Sequence, residues 1–205
     1  EGYSMSDVFT TGILQRGRDG KLVEEGNGYQ VDRSQRIRLG SADPDFTMGW
    51  RHDINYKNIS LGLMITGRFG GIVTSQTQAF MDAFGVSKVS AEARDNGGVM
   101  LDGHRYDAER YYNTVGGQGL MSYYTYDATN VRLQELSLTY SLPKKWLGDV
   151  FNNATISFVG RNLFMFYRKA PFDPDMNGST GTYNRSDFFM APSLRNLGFS
   201  IKFSL

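Results

Sequence analysis

The sequence contains no cysteine, which excludes disulfide frameworks, thiolate zinc sites and cysteine nucleophiles together. It has two histidines, His52 and His104, and neither an HExxH nor a GxSxG pattern. Metal-hydrolase and triad chemistry therefore have no scaffold, and no enzymatic activity is expected. No charge of one sign prevails: 22 Lys plus Arg stand against 21 Asp plus Glu, which argues against a phosphate-driven nucleic-acid binder. No run of 18 or more apolar residues occurs, so a transmembrane helix is excluded. A transmembrane β-barrel is not, because strands that alternate apolar and polar residues look unremarkable on average hydropathy. The chain starts at Glu1 without an initiator methionine or a charged-then-apolar leader, and is read as mature or as a piece of a longer protein.

What the sequence does have is aromatic residues, glycine and a long period of two: 12 Tyr, 14 Phe and 24 Gly. From 46 to 56 the even positions are Phe46, Met48, Trp50, His52, Ile54 and Tyr56, and the odd ones Thr47, Gly49, Arg51, Asp53 and Asn55. From 59 to 69, Ile59, Leu61, Leu63, Ile65 and Phe69 oppose Ser60, Gly62, Met64, Thr66 and Arg68; from 195 to 205, Leu197, Phe199, Ile201, Phe203 and Leu205 oppose a polar set. Two further segments are less regular. From 154 to 166 the alternation is blurred by Val159, Leu163 and Met165. From 131 to 142 the apolar phase changes between Leu133 and Leu136, which predicts a β-bulge near Gln134 and Glu135.

Segments of about eleven residues are twice the usual globular strand and match the 9 to 11 residues that a tilted strand needs to cross a bilayer. Their connections alternate as well: a tight turn at Lys57 and Asn58, a long stretch over 70–130, a medium turn over 143–153 and a long link over 167–194. Short and long connections alternate in this way on outer-membrane barrels, with the short turns periplasmic. That placement puts the C-terminus in the periplasm, Tyr56, Tyr140 and Trp146 near one interface, and Phe46, Phe69 and Phe166 near the other. Five strands cannot close a barrel, so the chain is expected to supply part of one; a soluble β-sandwich is the alternative that also alternates. Residues 1–45 show no comparable alternation and are read as an extracellular loop region leading into the barrel, with a short hairpin around Gly17 to Gly28. Within the long loop, 87–94 is expected to form a helical turn capped by Ser87 and stopped by Asn96, Gly97 and Gly98.

Several stretches resemble one known family. LGSADPDFTMGWRHDINYKNISLGLMITGRFGG (39–71) looks like the late barrel region of SusC/RagA-type TonB-dependent outer-membrane transporters. GVSKVSAEARDNGG (85–98) resembles that family's next loop, YDATNVRLQELSLTYSLPKKW (126–146) its penultimate region, and ATISFVGRNLFMF with the following FDPDMN its last hairpin. The resemblance implies an all-β fold: the C-terminal strands of a large, 22-stranded antiparallel transmembrane β-barrel with long extracellular loops. On that reading residues 46–205 hold the last five strands and the extracellular loops 70–130 and 167–194, and the plug domain lies outside this chain. It further implies an importer of oligosaccharides or peptides in the outer membrane, powered by TonB through a missing N-terminal part. A SusD-like surface lipoprotein would act as its lid, with the plug, the upstream strands and outer-membrane lipid as further partners. One departure is the end of the chain, where the family's usual final aromatic is replaced by Leu205, with Phe203 two residues before it. Rival readings are a non-transporting barrel or adhesin, and a soluble carbohydrate-binding β-sandwich.

Three groups of residues are candidates for a role. Tyr111, Tyr112, Tyr123, Tyr124 and Tyr126 could stack on sugar rings or meet a lid, against the alternative that a large loop needs its own core. Arg51, Asp53, Arg68 and Arg161 are expected to face the lumen and contact the plug, or else attract a polar substrate. Asp173, Asp175 and Asn177 resemble the first half of a calcium loop, but position twelve is Asn184 rather than Glu; an Asp-rich turn is the alternative, and no other cofactor is expected.

Overall fold

Alternation over eleven residues makes a strand with two chemically different faces, and such strands are stable only side by side, where their backbone groups pair. The computed structural model describes residues 2–147, 151–175 and 186–204. In chain order the first elements are β1 (Asp7–Leu14), β2 (Glu24–Glu25), β3 (Gly28–Tyr29), β4 (Val31–Ser41), β5 (Phe46–Tyr56), β6 (Ile59–Phe69) and β7 (Ile72–Ser75). Helices α1 (Gln76–Ala83) and α2 (Lys88–Asp95), strands β8 (Val99–Leu101) and β9 (His104–Tyr106), and helix α3 (Ala108–Val115) follow. Then come β10 (Thr125–Asp127), β11 (Asn130–Ser141), β12 (Asn153–Arg168), β13 (Ser186–Asp187) and β14 (Asn196–Ser204). These elements sort into two compact units, one of residues 2–43, 71–127 and 186–191, the other of 44–70, 128–175 and 192–204. Among the described residues no helix is long and apolar enough to cross a membrane.

The second unit is the sheet that the alternation predicts. Its five strands pair antiparallel in the order β14-β12-β11-β6-β5. The register brings like to like: Tyr56, Ile59, Tyr140, Ile156 and Ile201 form one row across all five strands, and Ile54, Leu61, Leu138, Phe158 and Phe199 the next. A third row holds His52, Leu63, Leu136, Gly160 and Leu197, so His52 is the discordant member of an apolar face. On the opposite face one row reads Asn55, Ser60, Thr139, Ser157 and Ser200, where the Thr139 and Ser157 hydroxyls bond at 2.9 Å. Pairs of this kind each stabilise a sheet by about 0.2–1 kcal/mol, and together they fix the register, because a slip of one residue would exchange the two faces. Lys57, at φ 52°, takes the left-handed conformation that two-residue hairpin turns use. Aromatic residues gather at the strand ends: Tyr56 and Tyr140 flank Ile59 at one, and the Phe46 ring stacks on Phe69 at 4.6 Å at the other. The outer strands β5 and β14 each leave one edge without a partner strand among the described residues.

The bulge falls where the phase change puts it. Leu133 and Glu135 pair with the adjacent residues Ile65 and Met64 of β6, so Gln134 is the extra residue. As a result Leu133 and Leu136 share the apolar face although they are three apart. On the other side, Leu133 and Glu135 pair with Phe164 and Arg161, which leaves Asn162 and Leu163 as a matching irregularity in β12, with Asn162 at φ 53°. That irregularity is the physical reason for the blurred alternation over 154–166.

The first unit departs from the sequence reading in two ways. Residues 1–45, read as a loop with one short hairpin, contain the antiparallel pair β1 and β4 as well as the small hairpin β2 and β3. Their pairing rests on backbone bonds and an Arg38–Asp7 ion pair at 2.7 Å rather than on a continuous apolar face, so periodicity did not reveal it. Residues 71–127, grouped with the strands in the sequence-based division, pack instead with this N-terminal region, because Leu14, Leu22 and Tyr29 share one core with Tyr106, Tyr111, Val115 and Leu120. Helices α1 and α3 approach so closely that a Cβ on Gly116 would run into the Ala79 carbonyl. Helix α2 begins as its sequence predicts: the Ser87 hydroxyl accepts from the Ser90 amide at 3.0 Å, and Asn96 follows the last turn. Ser87→Ala is expected to cost about 1 kcal/mol of helix stability. Hydrogen exchange would read this as faster exchange confined to α2, and unchanged protection there would count against the cap.

Candidate functional site

Two ion pairs stand on the polar face of the five-stranded sheet. Arg51 donates to Asp53 on the same strand through Nε at 2.9 Å and Nη2 at 3.2 Å, and Arg161 Nε reaches Glu135 at 3.1 Å. Arg51, Asp53 and Arg161 remain exposed to solvent, and Glu135 is half-buried. Arg68 is different: its side chain is 13% exposed and lies 3.8 Å from the Asp175 carboxylate.

Arg68 belongs to a buried cluster around Arg132, a residue that the sequence reading did not single out. Arg132 is 5% exposed, and its Nη2 meets Asp173 and Asp175 at 2.7 Å each. Its Nε donates to Asn130 at 3.2 Å and its Nη1 to Asn162 at 3.4 Å. The bulge at Gln134 keeps Arg132 and Asn130 on the polar face while Leu136, Leu138 and Tyr140 beyond it stay on the apolar one. Burial pushes the Asp173 carboxyl up, but donation from the Ser193 hydroxyl and from Arg132 outweighs it, and the group lies below its ordinary value. At Asp175 burial outweighs the attraction of Arg132, and the carboxyl lies above its ordinary value. Both aspartates of the calcium-like turn are engaged by Arg132, and the third candidate ligand, Asn177, lies outside the described residues, as does Asn184. Among the described residues no three acidic or imidazole side chains converge on one point.

In the loop-rich unit, the tyrosines mostly form its interior. Tyr111, Tyr112 and Tyr124 are buried, Tyr126 is half-buried, and Tyr123 is 38% exposed. Burial, reinforced by neighbouring phenols, pushes Tyr111 far up, and burial with the nearby Asp82 carboxylate does the same to Tyr124; both stay neutral. The Tyr106 and Tyr123 hydroxyls accept from the Leu22 and Leu14 amides at 3.1 and 3.2 Å, tying the N-terminal region to the long loop. Of the five tyrosines expected to touch a substrate or a lid, three are therefore placed in the core, because a large loop must bury its own aromatics. The sequence signal that could have located the Arg132 cluster was an Arg on the polar phase of a strand together with two aspartates spaced by two.

No family model matches the chain. A TonB-dependent receptor of Formosa agariphila, P3, is 29% identical over 222 residues, covering 98% of this chain and 22% of the receptor. A second, P26 of the same organism, is 26% identical over 74% of this chain and 15% of its own length. The chain is similar to a segment of a TonB-dependent receptor. Solved structures of the RagAB peptide importer share its fold: the open-open state aligns with TM-score 0.60 at 17% identity over 98% of this chain and 22% of that one. The closed-closed state aligns with TM-score 0.55 at 15% identity over 95% of this chain and 21% of that one. These TonB-dependent receptors and importers are not enzymes, in keeping with the sequence. The chain spans 22% and 15% of the length of the curated receptors it matches.

Proposed function

We propose that this chain is a wall and loop segment of a TonB-dependent outer-membrane importer for oligosaccharides or peptides. The observation that carries the reading is the apolar face of the five-stranded sheet, where Ile54, Phe158 and Phe199 are 47%, 41% and 68% exposed in continuous rows. Soluble surfaces rarely leave so large an apolar patch uncovered, whereas lipid covers it without cost. The polar face then looks into the lumen, and the open edges of β5 and β14 pair with further barrel strands. Arg51, Asp53 and Arg161 remain exposed enough on that face to contact a plug. The loop-rich unit lies outside the membrane and meets a SusD-like lipoprotein, with exposed Tyr123 and the aromatic group of Phe80, Phe188 and Phe189 as surface available for contact. The C-terminus is periplasmic.

This segment holds no cysteine of its own, so any label within it reports the introduced residue. Single cysteines at Phe199 and Ser200, in the full-length protein in outer-membrane vesicles, would be treated with a water-soluble maleimide. Ser200→Cys should label and Phe199→Cys should be protected until detergent is added. Equal labelling of the two would sink the membrane assignment.

A further inference from the structure

A cleft of about 290 Å³ opens in the loop-rich unit between α1, the start of α2 and α3. Asp82 lines it and is 5% exposed, yet no cation stands within ion-pair distance of it among the described residues. Its Oδ1 accepts one hydrogen bond, from Gln78 Nε2 at 2.8 Å. Buried carboxylates are rare unless a positive charge accompanies them, because desolvating the anion is costly. The buried Tyr124 hydroxyl is directed at the same carboxylate, a neutral neighbour that leaves its charge uncompensated. The cleft wall adds the Tyr112 and Phe84 rings, with Phe84 77% exposed, and Glu109 supplies a second carboxylate from the exposed face of α3. The opposing charge in the lining, Arg94, is held by the Gly85 carbonyl at 2.7 Å. A buried acid flanked by aromatic faces is the chemistry that holds an ammonium or guanidinium group. The volume suits one extended side chain rather than a whole drug-sized ligand.

We infer that this cleft takes the basic side chain of a peptide, with Asp82 as its counter-ion and Glu109 as the outer acid; the inference rests on the importer reading for the source of the peptide. The test uses the full-length transporter in detergent and two probes, acetyl-Gly-Lys-Gly-amide and its norleucine counterpart, titrated calorimetrically. The lysine peptide should bind at least about tenfold more tightly than the norleucine peptide. Asp82→Asn keeps an acceptor for Gln78, and Glu109→Lys alters only an exposed position; each should abolish the difference. Equal binding of the two peptides, or a preference that survives both variants, overturns the assignment. Uptake of the lysine peptide is scored separately in cells lacking TonB. Selective binding without any TonB-dependent uptake would keep the cleft and reject the importer reading.

Discussion

Replacing Arg132 with alanine is expected to destabilise the sheet unit by about 3–5 kcal/mol and to free the turn at 173–175. The size follows from what is left behind. Two carboxylates that each sit 2.7 Å from the guanidinium, one of them buried at 10% exposure and the other half-buried, would be left next to each other with Arg68, 3.8 Å from Asp175, as a distant counter-charge. Limited proteolysis of the full-length protein would detect the freed turn, and thermal unfolding the lost stability. Arg132→Lys should recover part of the charge but not the Asn130 and Asn162 contacts. Acid separates this effect from simple loss of packing. In the native protein Asp173 titrates below the ordinary carboxyl range, so its contribution is present above that range and is lost as pH falls through its depressed pKa; Asp175 titrates above the ordinary range, so its charge weakens the fold as pH rises from that range through its raised pKa. Without Arg132 both carboxyls would bind protons more readily in the folded state, and the variant should recover stability as the pH is lowered from 7 towards 4. A deficit that is constant with pH, or no deficit at all, would contradict the buried ion cluster.

Phe158→Lys should cost about 2–4 kcal/mol in a lipid bilayer, against little change for Ser157→Lys. The two residues are neighbours on β12 but stand in opposite rows, Phe158 between Leu138 and Phe199, Ser157 between Thr139 and Ser200. Both variants place a lysine at adjacent positions of one strand, so the excess of Phe158→Lys over the roughly 1 kcal/mol span of strand propensity reports the face. Urea unfolding of the full-length protein in vesicles gives both values. Similar midpoints for the two lysine variants would show that the Phe158 face does not meet lipid.

How much of this was legible in the sequence depended on whether a residue's placement follows from its neighbours in the chain. The five long strands, the turn at Lys57, the bulge at Gln134 and the Ser87 cap all did, because period, turn chemistry and capping are local. The pair β1 and β4 did not: Arg33, Arg36 and Arg38 interrupt any apolar period, and the strand is fixed by partners about thirty residues away, such as Asp7 for Arg38. Arg132 was missed for a related reason, since its partners Asp173 and Asp175 lie some forty residues along the chain and only pairing with β12 brings that turn within reach. The tyrosines Tyr111, Tyr112 and Tyr124 were seen as a group, with a core of the loop's own as the alternative to contact with a substrate or lid; what that core would enclose was not legible, because their burial depends on Leu14 and Leu22 from a region that looked like loop.

The bulge at Gln134 behaves like a shift of reading frame within a single strand. Before it the odd residues Val131 and Leu133 belong to the apolar side, and after it the even residues Leu136, Leu138 and Tyr140 do. Gln134 itself is exposed, so its chemistry is nearly free to vary. Its count is not. A substitution there leaves both frames intact, whereas a deletion would carry Arg132 and Asn130 to the apolar side and dismantle the ion cluster, with every later pair in β11 still in place. The constraint at this position is arithmetic, on how many residues stand between Leu133 and Leu136, rather than on which ones.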